Sequence, residues 1–409
     1  MPEKLRIIVC GAGIAGLCTG IALAKLGHEI IILERAHELS PAGAGIHGLL
    51  DRLASRAVVP TGFIFRRYED SSVLAETITR RPEHTSQTPY WSIRRSDYQE
   101  TLHVATLEAG CDIRLGQKVC SINENGDSLV GDIVVVADGM KSSLRQFIIP
   151  EEDVSPISQP MSTYRAWAPL GSLVANPDVA RLLHQPATNV WIGPGRHIII
   201  YPAEGGEILA INGTYPARNN SVGEWNKLAN VEEVQRQFHE FDPVVQAILG
   251  QARGCKSWAL AEVPRLPRWT SRSGKVVAIG DAAHGMLQFL AQGAAMATED
   301  AGALAECVRK ITSTDDIPRA MHVYERSRKW RCERVQAQAR CNGEFIHMPD
   351  GEEQEHRDRK MGGKQLPTDE DVDCGPLLDP KFTSWLFNHN TLEHVVYDCA
   401  EKNRQVAVN

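Results

Sequence analysis

A short glycine-rich segment near the start of the chain has the residue types and spacing of a phosphate-binding loop. Residues 11–16 read G-A-G-I-A-G, and Glu34 follows the last glycine by eighteen positions. Gly11 permits a tight turn, Gly13 lets backbone amides approach a pyrophosphate, and Gly16 allows close packing of helix and strand. The N–H groups of the following helix would bind the phosphates, and the Glu34 carboxylate would accept hydrogen bonds from ribose hydroxyls. The pattern therefore predicts a dinucleotide site.

Two further carboxylates are placed where an open α/β sheet binds its ligands. Residues 132–136 form an apolar strand pattern that leads to Asp138, and residues 275–281 form another that ends at Asp281. Ligands in such sheets bind outside the carboxyl ends of parallel strands. We therefore expect Asp281 to bond a ligand hydroxyl, the alternative being a helix N-cap that faces solvent.

The elements around the glycine loop must position it. Residues 5–10 and 29–34 are apolar, β-branched runs typical of buried parallel strands, and residues 14–26 between them have the small-residue face of a helix. This βαβ interpretation also accounts for residues 7–24, which carry no charge, because a membrane-spanning helix would not be broken and paired with a second strand. Residues 156–264 instead show short β-like runs separated by Pro and Gly, which indicates a second, mostly antiparallel sheet.

Composition and charge exclude several classes of protein. The 409 residues suffice for two to three domains, and 43% apolar with 23% charged residues is typical of a globular fold rather than a disordered chain. The 51 acidic residues outnumber the 44 basic ones, so the surface as a whole repels nucleic acid and anionic membranes. Residues 350–376 hold nine acidic and four basic residues, which we interpret as a polar loop or linker. The ten cysteines have no zinc-like or disulfide-framework spacing, which favours reduced thiols in a cytoplasmic protein without a metal site.

Three segments in order resemble those of a known family. They are the loop 11–16 with Glu34 and Arg35, the A-D-G segment 137–139, and G-D-A-A-H at 280–284 followed by L-A-Q-G-A-A at 290–295. Together they resemble the group A FAD-dependent aromatic monooxygenases, in the salicylate-hydroxylase-like branch common in fungal natural-product pathways. The resemblance runs from the N-terminus to about residue 376. It implies FAD as the bound nucleotide and NADPH or NADH as a transient electron donor, for which no second nucleotide-binding domain is expected.

The fold class that this resemblance implies is α/β. It combines a discontinuous Rossmann-type FAD-binding domain, an inserted, mostly antiparallel β-sheet substrate domain and a C-terminal helical extension. The FAD-binding domain is discontinuous because the buried-strand pattern resumes at residue 275, after the antiparallel region. We assign residues 1–65, 95–155 and 265–345 to the FAD-binding domain, residues 66–94 and 156–264 to the substrate domain, and residues 346–409 to the extension.

The resemblance also implies cofactor roles for individual residues. Glu34 and Arg35 would hold the adenosine end of FAD, and Ala44 and Gly45 would belong to a G-A-G-I loop that passes beside the isoalloxazine. Arg95 resembles the arginine of the family's H-R-x-D-L segment, which contacts the cofactor.

The remaining cofactor roles come from the two later motifs. Asp138 would contact both FAD and the nicotinamide donor, and Asp281 would bond a ribityl hydroxyl. Gly293 and Ala294 would begin a helix whose N-terminal dipole stabilises the anionic reduced flavin.

Arg165 and Tyr201 are the catalytic candidates. They match the places where related phenol hydroxylases have an arginine and a tyrosine that hold or deprotonate the substrate hydroxyl. A phenolate is the better nucleophile, and an arginine can stabilise it. The alternative is that both are sheet residues at a domain interface. Trp167 and Trp191 are candidates for an aromatic pocket or for core packing, and His284 is expected to pack structurally.

The implied activity is transfer of one oxygen atom from O2 to an electron-rich aromatic small molecule, phenolic or indolic, in a secondary-metabolite pathway. An epoxidase acting on an alkene-containing intermediate and a non-catalytic FAD-binding accessory protein stay open as alternatives. No nucleic acid and no membrane span are expected, and a homodimer is left open.

Two departures from the family pattern bear on these alternatives. The family's H-P-x-x-P is here H-G-M-L-Q, so Gly285 and Gln288 stand in place of both prolines. Because proline restricts φ, we expect this loop to be mobile. The segment after Ile46 is also shorter than the family's P-P-N-A-like segment and helix, which would alter a wall of the flavin channel.

Overall fold

The chain folds around two β-sheets, seen in a computed structural model that describes residues 4–38, 49–78, 91–123, 129–183, 185–217, 227–362 and 375–395. The strands, in chain order, are β1 (Arg6–Cys10), β2 (Glu29–Leu33), β3 (Gly62–Arg67), β4 (Val73–Ile78), β5 (Asp112–Arg114), β6 (Ile133–Val136), β7 (Ile157–Pro169), β8 (Thr188–Gly193), β9 (Arg196–Ala203), β10 (Ile208–Pro216), β11 (Lys227–Leu228), β12 (Arg253–Glu262) and β13 (Val276–Ala278). The helices are α1 (Ile14–Ala24), α2 (Leu49–Arg56), α3 (Arg95–Glu108), α4 (Arg145–Ile148), α5 (Leu170–Leu173), α6 (Pro177–Leu182), α7 (Val231–Gln237), α8 (Pro243–Leu249), α9 (Asp281–His284), α10 (Gly293–Val308), α11 (Ile317–Ile346), α12 (Glu352–Met361) and α13 (Pro380–Phe387).

The first sheet is parallel and contains the predicted βαβ unit. Its five strands follow the order β13-β6-β1-β2-β5, and every neighbouring pair is parallel. Buried Val and Ile side chains dominate these strands, as expected of parallel strands that helices cover. Because parallel strands end at the same edge of a sheet, the carboxyl ends of β13, β6, β1 and β2 are neighbours.

The second sheet has eight strands in the order β11-β12-β7-β10-β9-β8-β3-β4. Its neighbouring strands are antiparallel except for β3 and β8, which are parallel. The α/β fold class with a second, mostly antiparallel sheet is therefore confirmed. The domain boundaries themselves stay a prediction.

The two faces of the second sheet pack against different parts of the chain. On one face, Tyr164 and Trp191 share a core with Phe238 and with side chains of α6, α7 and α8. On the other face, Phe65 and Ile192 pack against Phe289 and the end of α11. Trp191 therefore packs in the core, and only the second face looks towards the parallel sheet's helices.

Helix α12 corrects the interpretation of residues 350–376 as a loop or linker for residues 350–362, and residues 363–374 lie outside the described residues. Its side chains Arg357 and Met361 are buried, and Asp350, just before the helix, forms an ion pair with Arg67 of β3. Arg67 of the second sheet pairs with both Asp350 and Asp358 and so neutralises part of the charge of this segment, which composition alone does not reveal.

Two expectations about the chain's surroundings can be compared with the described residues. Among them, no helix combines the length and the apolar character that crossing a membrane requires. The eight cysteines that lie in the described ranges are free thiols.

Candidate functional site

The glycine loop joins β1 to α1, and the structure requires glycine at some of its positions but not at others. A Cβ on Gly16 would lie 1.9 Å from the Gly11 carbonyl oxygen, and a Cβ on Gly11, whose φ is +118°, would lie 2.4 Å from the Ala137 oxygen. By contrast, no described atom lies within 4 Å of the place where a Gly13 Cβ would stand. The protein itself thus requires Gly11 and Gly16, whereas Gly13 faces open space at the start of α1. That space and the free N–H groups of the helix fit a pyrophosphate.

The Glu34 carboxylate is fixed beside this loop by backbone groups. Its Oε2 accepts a hydrogen bond from the Ala12 N–H and its Oε1 one from the Ala36 N–H, both at 2.8 Å. A carboxylate can accept about four hydrogen bonds, so lone pairs remain for ribose hydroxyls. Arg35, next in the chain, is exposed. The pKa of the Lys141 ammonium is lowered first by burial and then by the nearby positive charge of Arg35.

Asp138, beyond the end of β6, has one carboxylate oxygen without a partner in the described residues. Its Oδ2 accepts hydrogen bonds from the N–H groups of Ser143 at 3.0 Å and Leu144 at 3.2 Å, whereas its Oδ1 is buried and accepts none there. Burial together with the Asp138 charge raises the pKa of Cys10, at the end of β1, to about 12. Because buried acceptors are nearly always paired, Oδ1 fits a ligand that donates a hydrogen bond.

Asp281 begins α9 directly beyond β13, and it faces the start of α10. A Cβ built on Gly293 would lie 3.9 Å from the Asp281 Oδ1 atom, and Gly293 and Ala294 are half-buried in the first turn of α10. The residue before Asp281, Gly280, has a φ of +57° and packs on Ala15 of α1. Asp281, the start of α10 and the start of α1 therefore lie close together.

A buried ion-pair network lies behind Asp281, and the sequence analysis did not identify it. Asp300 of α10 accepts hydrogen bonds from the Gly280 N–H at 2.9 Å, from His284 Nε2 at 2.6 Å and from Arg328 Nε at 2.9 Å. Burial alone would raise the pKa of Asp300, but His284 and Arg328 lower it to about 2. The sequence signal that could have revealed this network is Asp300 itself, a carboxylate among the Ala and Leu residues of a predicted helix.

The same network includes three side chains whose ligand atoms could hold a metal ion. These atoms of His284, Asp300 and Cys332 lie within 4.8 Å of one another. Arg328, however, donates to Asp300 and its Nη2 lies 3.5 Å from the Cys332 sulfur. With a guanidinium already neutralising the carboxylate, the cluster is an ion-pair network that supports the Gly280 turn.

Helix α3 places Arg95 between the glycine loop and the second sheet. Arg94, immediately before the helix, forms an ion pair with Glu204, in the turn after β9. Gln99 of α3 donates a hydrogen bond to the Ala12 carbonyl of the glycine loop at 3.1 Å. These contacts fix the start of α3, where Arg95 is exposed.

Arg165 and Tyr201 lie on the same face of the second sheet. Arg165 of β7 is opposite Asn212 of β10, and Tyr201 of β9 is opposite Ala210, two residues away from Asn212. Because side chains alternate between faces, positions two apart share a face. Asn212 is half-buried and was not singled out from the sequence. Asn212 lies next to Arg165 because of the register of β7 and β10, and strand register cannot be read from the sequence.

The Arg165 guanidinium is held without an acidic partner among the described residues. Its Cζ atom lies 4.7 Å from the centroid of the Trp258 ring. Burial lowers the pKa of Arg165, the nearby Tyr201 raises it, and Arg95 lowers it. The three residues that the resemblance singled out from distant segments thus interact electrostatically. A half-buried, unpaired guanidinium is suited to bind an anionic oxygen.

The loop after α9, which we expect to be mobile because both prolines are missing, packs against side chains of other elements, and its mobility stays a prediction. A Cβ on Gly285 would lie 2.7 Å from the Met140 sulfur, so glycine leaves room for that side chain. Gln336 of α11 donates to the Gly285 carbonyl at 3.1 Å, and Leu287 and Phe289 are buried. Packing here takes the place of the two proline rings.

Some site predictions lie outside the described residues. Ala44 and Gly45 belong to this group, as does the start of the shortened segment after Ile46. The functional roles of the other predicted residues stay predictions, although the structure brings them to one side of the parallel sheet and to the facing side of the second sheet.

Comparison with known proteins finds relatives along nearly the whole chain. A family model described as "FAD binding domain" matches residues 4–339. The chain is 32% identical to the FAD-dependent monooxygenase OpS4 of Beauveria bassiana (strain ARSEF 2860), over 99% of each chain. It is 30% identical to 3-hydroxybenzoate 6-hydroxylase 1 of Aquipseudomonas alcaligenes, over 95% of this chain and 98% of that one.

A solved structure shares the fold. The superposition on a salicylate hydroxylase in a substrate complex gives a TM-score of 0.75 at 21% identity, and it covers 97% of this chain and 98% of that chain. At this identity the likeness concerns the architecture of the two sheets.

Proposed function

Because the chain belongs to the FAD-binding domain family and is an FAD-dependent monooxygenase, we propose that it uses NADPH or NADH to oxygenate an electron-rich phenolic or indolic small molecule. The proposal places Arg165 and Tyr201 at the substrate. The observation that carries it is the half-buried Arg165 guanidinium, which stacks on Trp258 and faces Tyr201 without an acidic partner in the described ranges.

Arg165 would bind the substrate oxygen and keep it anionic. A guanidinium next to a phenol favours the phenolate and thus lowers the phenol's pKa, and the phenolate directs more electron density into the ring than the phenol does. Tyr201 would donate a hydrogen bond to the same oxygen or, as the tyrosinate, accept its proton. The partial burial of both residues would exclude water and strengthen these interactions.

The residues at the edge of the parallel sheet would hold the cofactor. Bound FAD supplies the electron transfer and the oxygen chemistry. Gly13 and the start of α1 would bind its pyrophosphate, Glu34 its ribose, and Asp281 a ribityl hydroxyl. The first turn of α10, at Gly293, would stabilise negative charge on the reduced ring through its N–H groups.

The pathway and the cellular context are also proposals. The resemblance to fungal natural-product monooxygenases favours a secondary-metabolite substrate and a cytoplasmic enzyme, with a homodimer left open. The similarity to a 3-hydroxybenzoate hydroxylase favours a ring that carries a hydroxyl group.

The test is a reconstitution with FAD followed by paired assays. The purified protein is titrated with FAD, and NADPH or NADH oxidation, O2 uptake and hydrogen peroxide release are measured with phenolic, indolic and alkene compounds. We expect ring-dependent oxidation of the donor and a product one oxygen atom heavier by mass spectrometry. A protein that binds FAD but oxidises neither donor with any compound would be an accessory protein, and oxygenation confined to alkenes would identify an epoxidase.

A further inference from the structure

Gln288, in the loop after α9, reaches across to the face of the second sheet that carries Arg165. Its Nε2 atom donates hydrogen bonds to Thr163 Oγ1 of β7 at 2.7 Å and to Thr214 Oγ1 of β10 at 3.0 Å. The two threonines are opposite one another in the register of β7 and β10. Both hydrogens of the Gln288 amide are therefore used within the protein.

The hydrogen-bond network determines which end of the amide faces the threonines. Thr163 donates its own hydroxyl hydrogen to the Gly213 carbonyl at 2.9 Å, and Thr214 donates to Thr163 Oγ1 at 3.5 Å. Because Thr163 uses its hydrogen on the Gly213 carbonyl, the Thr163 oxygen accepts from Gln288, and a flipped amide would bring its carbonyl oxygen against the Thr163 lone pairs. In this orientation the Gln288 Oε1 atom points away from the threonines, and no described residue donates to it.

Gln288 stands at the boundary between a covered and an open part of the sheet face. Thr163, Thr214 and His197 form one row across β7, β10 and β9, all three are buried, and Phe289 covers this row with its ring 5.8 Å from that of His197. The next row on the same face contains Arg165 and Asn212, and it is only half-buried. The Gln288 amide thus lies on the row next to the one that we assign to the substrate, and its Oε1 is an acceptor that no described residue uses.

We propose that the Gln288 Oε1 atom accepts a hydrogen bond from an O–H or N–H group of the substrate and so selects ring compounds that carry such a donor. The inference rests on the proposed function, because it takes the Arg165 face as the substrate site. Arg165 binds one polar group of the ring by its charge, and Gln288 recognises a second, donor-bearing group. The threonines make this selection directional, since they prevent the amide from presenting its NH2 end.

The test compares matched probe pairs in which the donor is replaced by a methylated group. The pairs are 3-hydroxybenzoate with 3-methoxybenzoate, phenol with anisole, and indole with N-methylindole, and their dissociation constants are measured by perturbation of the FAD absorbance. In the wild-type holoenzyme we expect the donor-bearing member of at least one pair to bind about fivefold to tenfold more tightly than its methylated partner. Gln288→Met, which keeps the length of the side chain, should abolish that preference while affinity for the methylated probe changes little.

Gln146→Met is the matched control, because Gln146 donates two hydrogen bonds to backbone carbonyls of the Ile149 and Glu152 region, away from the sheet face. It should keep the wild-type preference. An equal loss of affinity for both members of each pair in Gln288→Met, or a wild-type protein without preference for a donor in any pair, would overturn the inference. Failure of the proposed function is distinguishable, since it shows as absent donor oxidation with every ring compound, whatever the residue at position 288.

Discussion

The Arg165 guanidinium lies over the indole of Trp258, 4.7 Å from the ring centroid, and this stacking positions a cation on the sheet face that also carries Tyr201 without neutralising it. An acidic partner would compete with an anionic substrate oxygen, whereas an aromatic ring attracts the cation and leaves its N–H groups available. The relationship links two strands, β7 and β12, whose register places Arg165 one row from Trp258.

Replacing Arg165 by Met should lower kcat/KM for a phenolic substrate by about 10- to 100-fold, because a hydrogen bond to a charged group contributes roughly 1.5–3 kcal/mol. FAD affinity should stay within about twofold, since Arg165 belongs to the second sheet, whereas the residues that we assign to the FAD pyrophosphate and riboses lie at the edge of the parallel sheet. The measurement is steady-state donor oxidation beside FAD titration. Arg334→Met is the control, because Arg334 stacks at 4.1 Å on Trp385, near the C-terminal end of the described chain. Unchanged turnover in Arg165→Met would remove this residue from the substrate site.

Replacing Tyr201 by Phe should reduce kcat by about tenfold with little effect on substrate affinity, because the ring remains and only the proton-transferring hydroxyl is lost. Rapid-mixing measurements of flavin reduction and of product formation separate the two effects. Tyr215→Phe is the control, since Tyr215 of β10 packs on the opposite face with Tyr164 and Phe238. If both variants lose the same activity, the role of Tyr201 is structural.

Two alanine substitutions in the glycine loop should have different effects. Gly13→Ala should weaken FAD binding by about tenfold or more and leave the apoprotein's Tm nearly unchanged, since only open space surrounds that position. Gly16→Ala should destabilise the apoprotein by about 1–3 kcal/mol, because its Cβ would collide with the Gly11 carbonyl. FAD titration and thermal unfolding without FAD are the two measurements. A Gly13→Ala protein that binds FAD normally would contradict the assignment of the pyrophosphate site.

Replacing Asp300 by Asn should lower the free energy of unfolding by about 3–5 kcal/mol, because Arg328 and His284 would lose their buried partner. FAD affinity should fall too, since Asp300 also holds the Gly280 turn before Asp281. Denaturant unfolding of the apoprotein and FAD titration measure the two effects. Glu355→Gln removes an exposed pair with Arg359 and should cost less than about 1 kcal/mol.

The loss of stability caused by Asp300→Asn should depend on pH. The network lowers the pKa of Asp300 from its ordinary 3.8 to about 2, so its contribution to stability is fully present above about pH 4. That contribution is lost as pH falls from about 4 to about 2, where the carboxylate becomes protonated in the folded protein as well. The difference in unfolding free energy between wild type and Asp300→Asn should therefore shrink over this interval. A constant difference down to pH 2 would contradict the ionised state of Asp300.

The loop around Gly11, Gly13 and Gly16 and the strands on either side were predictable because their determinants are local. Gly16 must leave room for a carbonyl only five residues away, and the φ of +118° at Gly11 is a property of the turn itself, although the approach of the Ala137 carbonyl to Gly11 comes from the tertiary structure. Buried parallel strands likewise show continuous apolar runs, so the apolar pattern of the sequence was enough to predict β1, β2, β6 and β13.

What the sequence by itself determined is therefore the βαβ unit, the carboxylates at the strand ends and the mostly antiparallel character of the second sheet. Only the tertiary structure decided which side chains meet across those elements, since strand register and loop approach join residues more than a hundred positions apart. Gln288 reaches Thr163 over 125 positions, and Arg67 pairs with Asp350 over 283. Such contacts leave no periodic signal in the chain. The acidic run therefore predicted a linker where packing produced helix α12, and the missing prolines did not reveal the side-chain contacts that the loop after α9 makes.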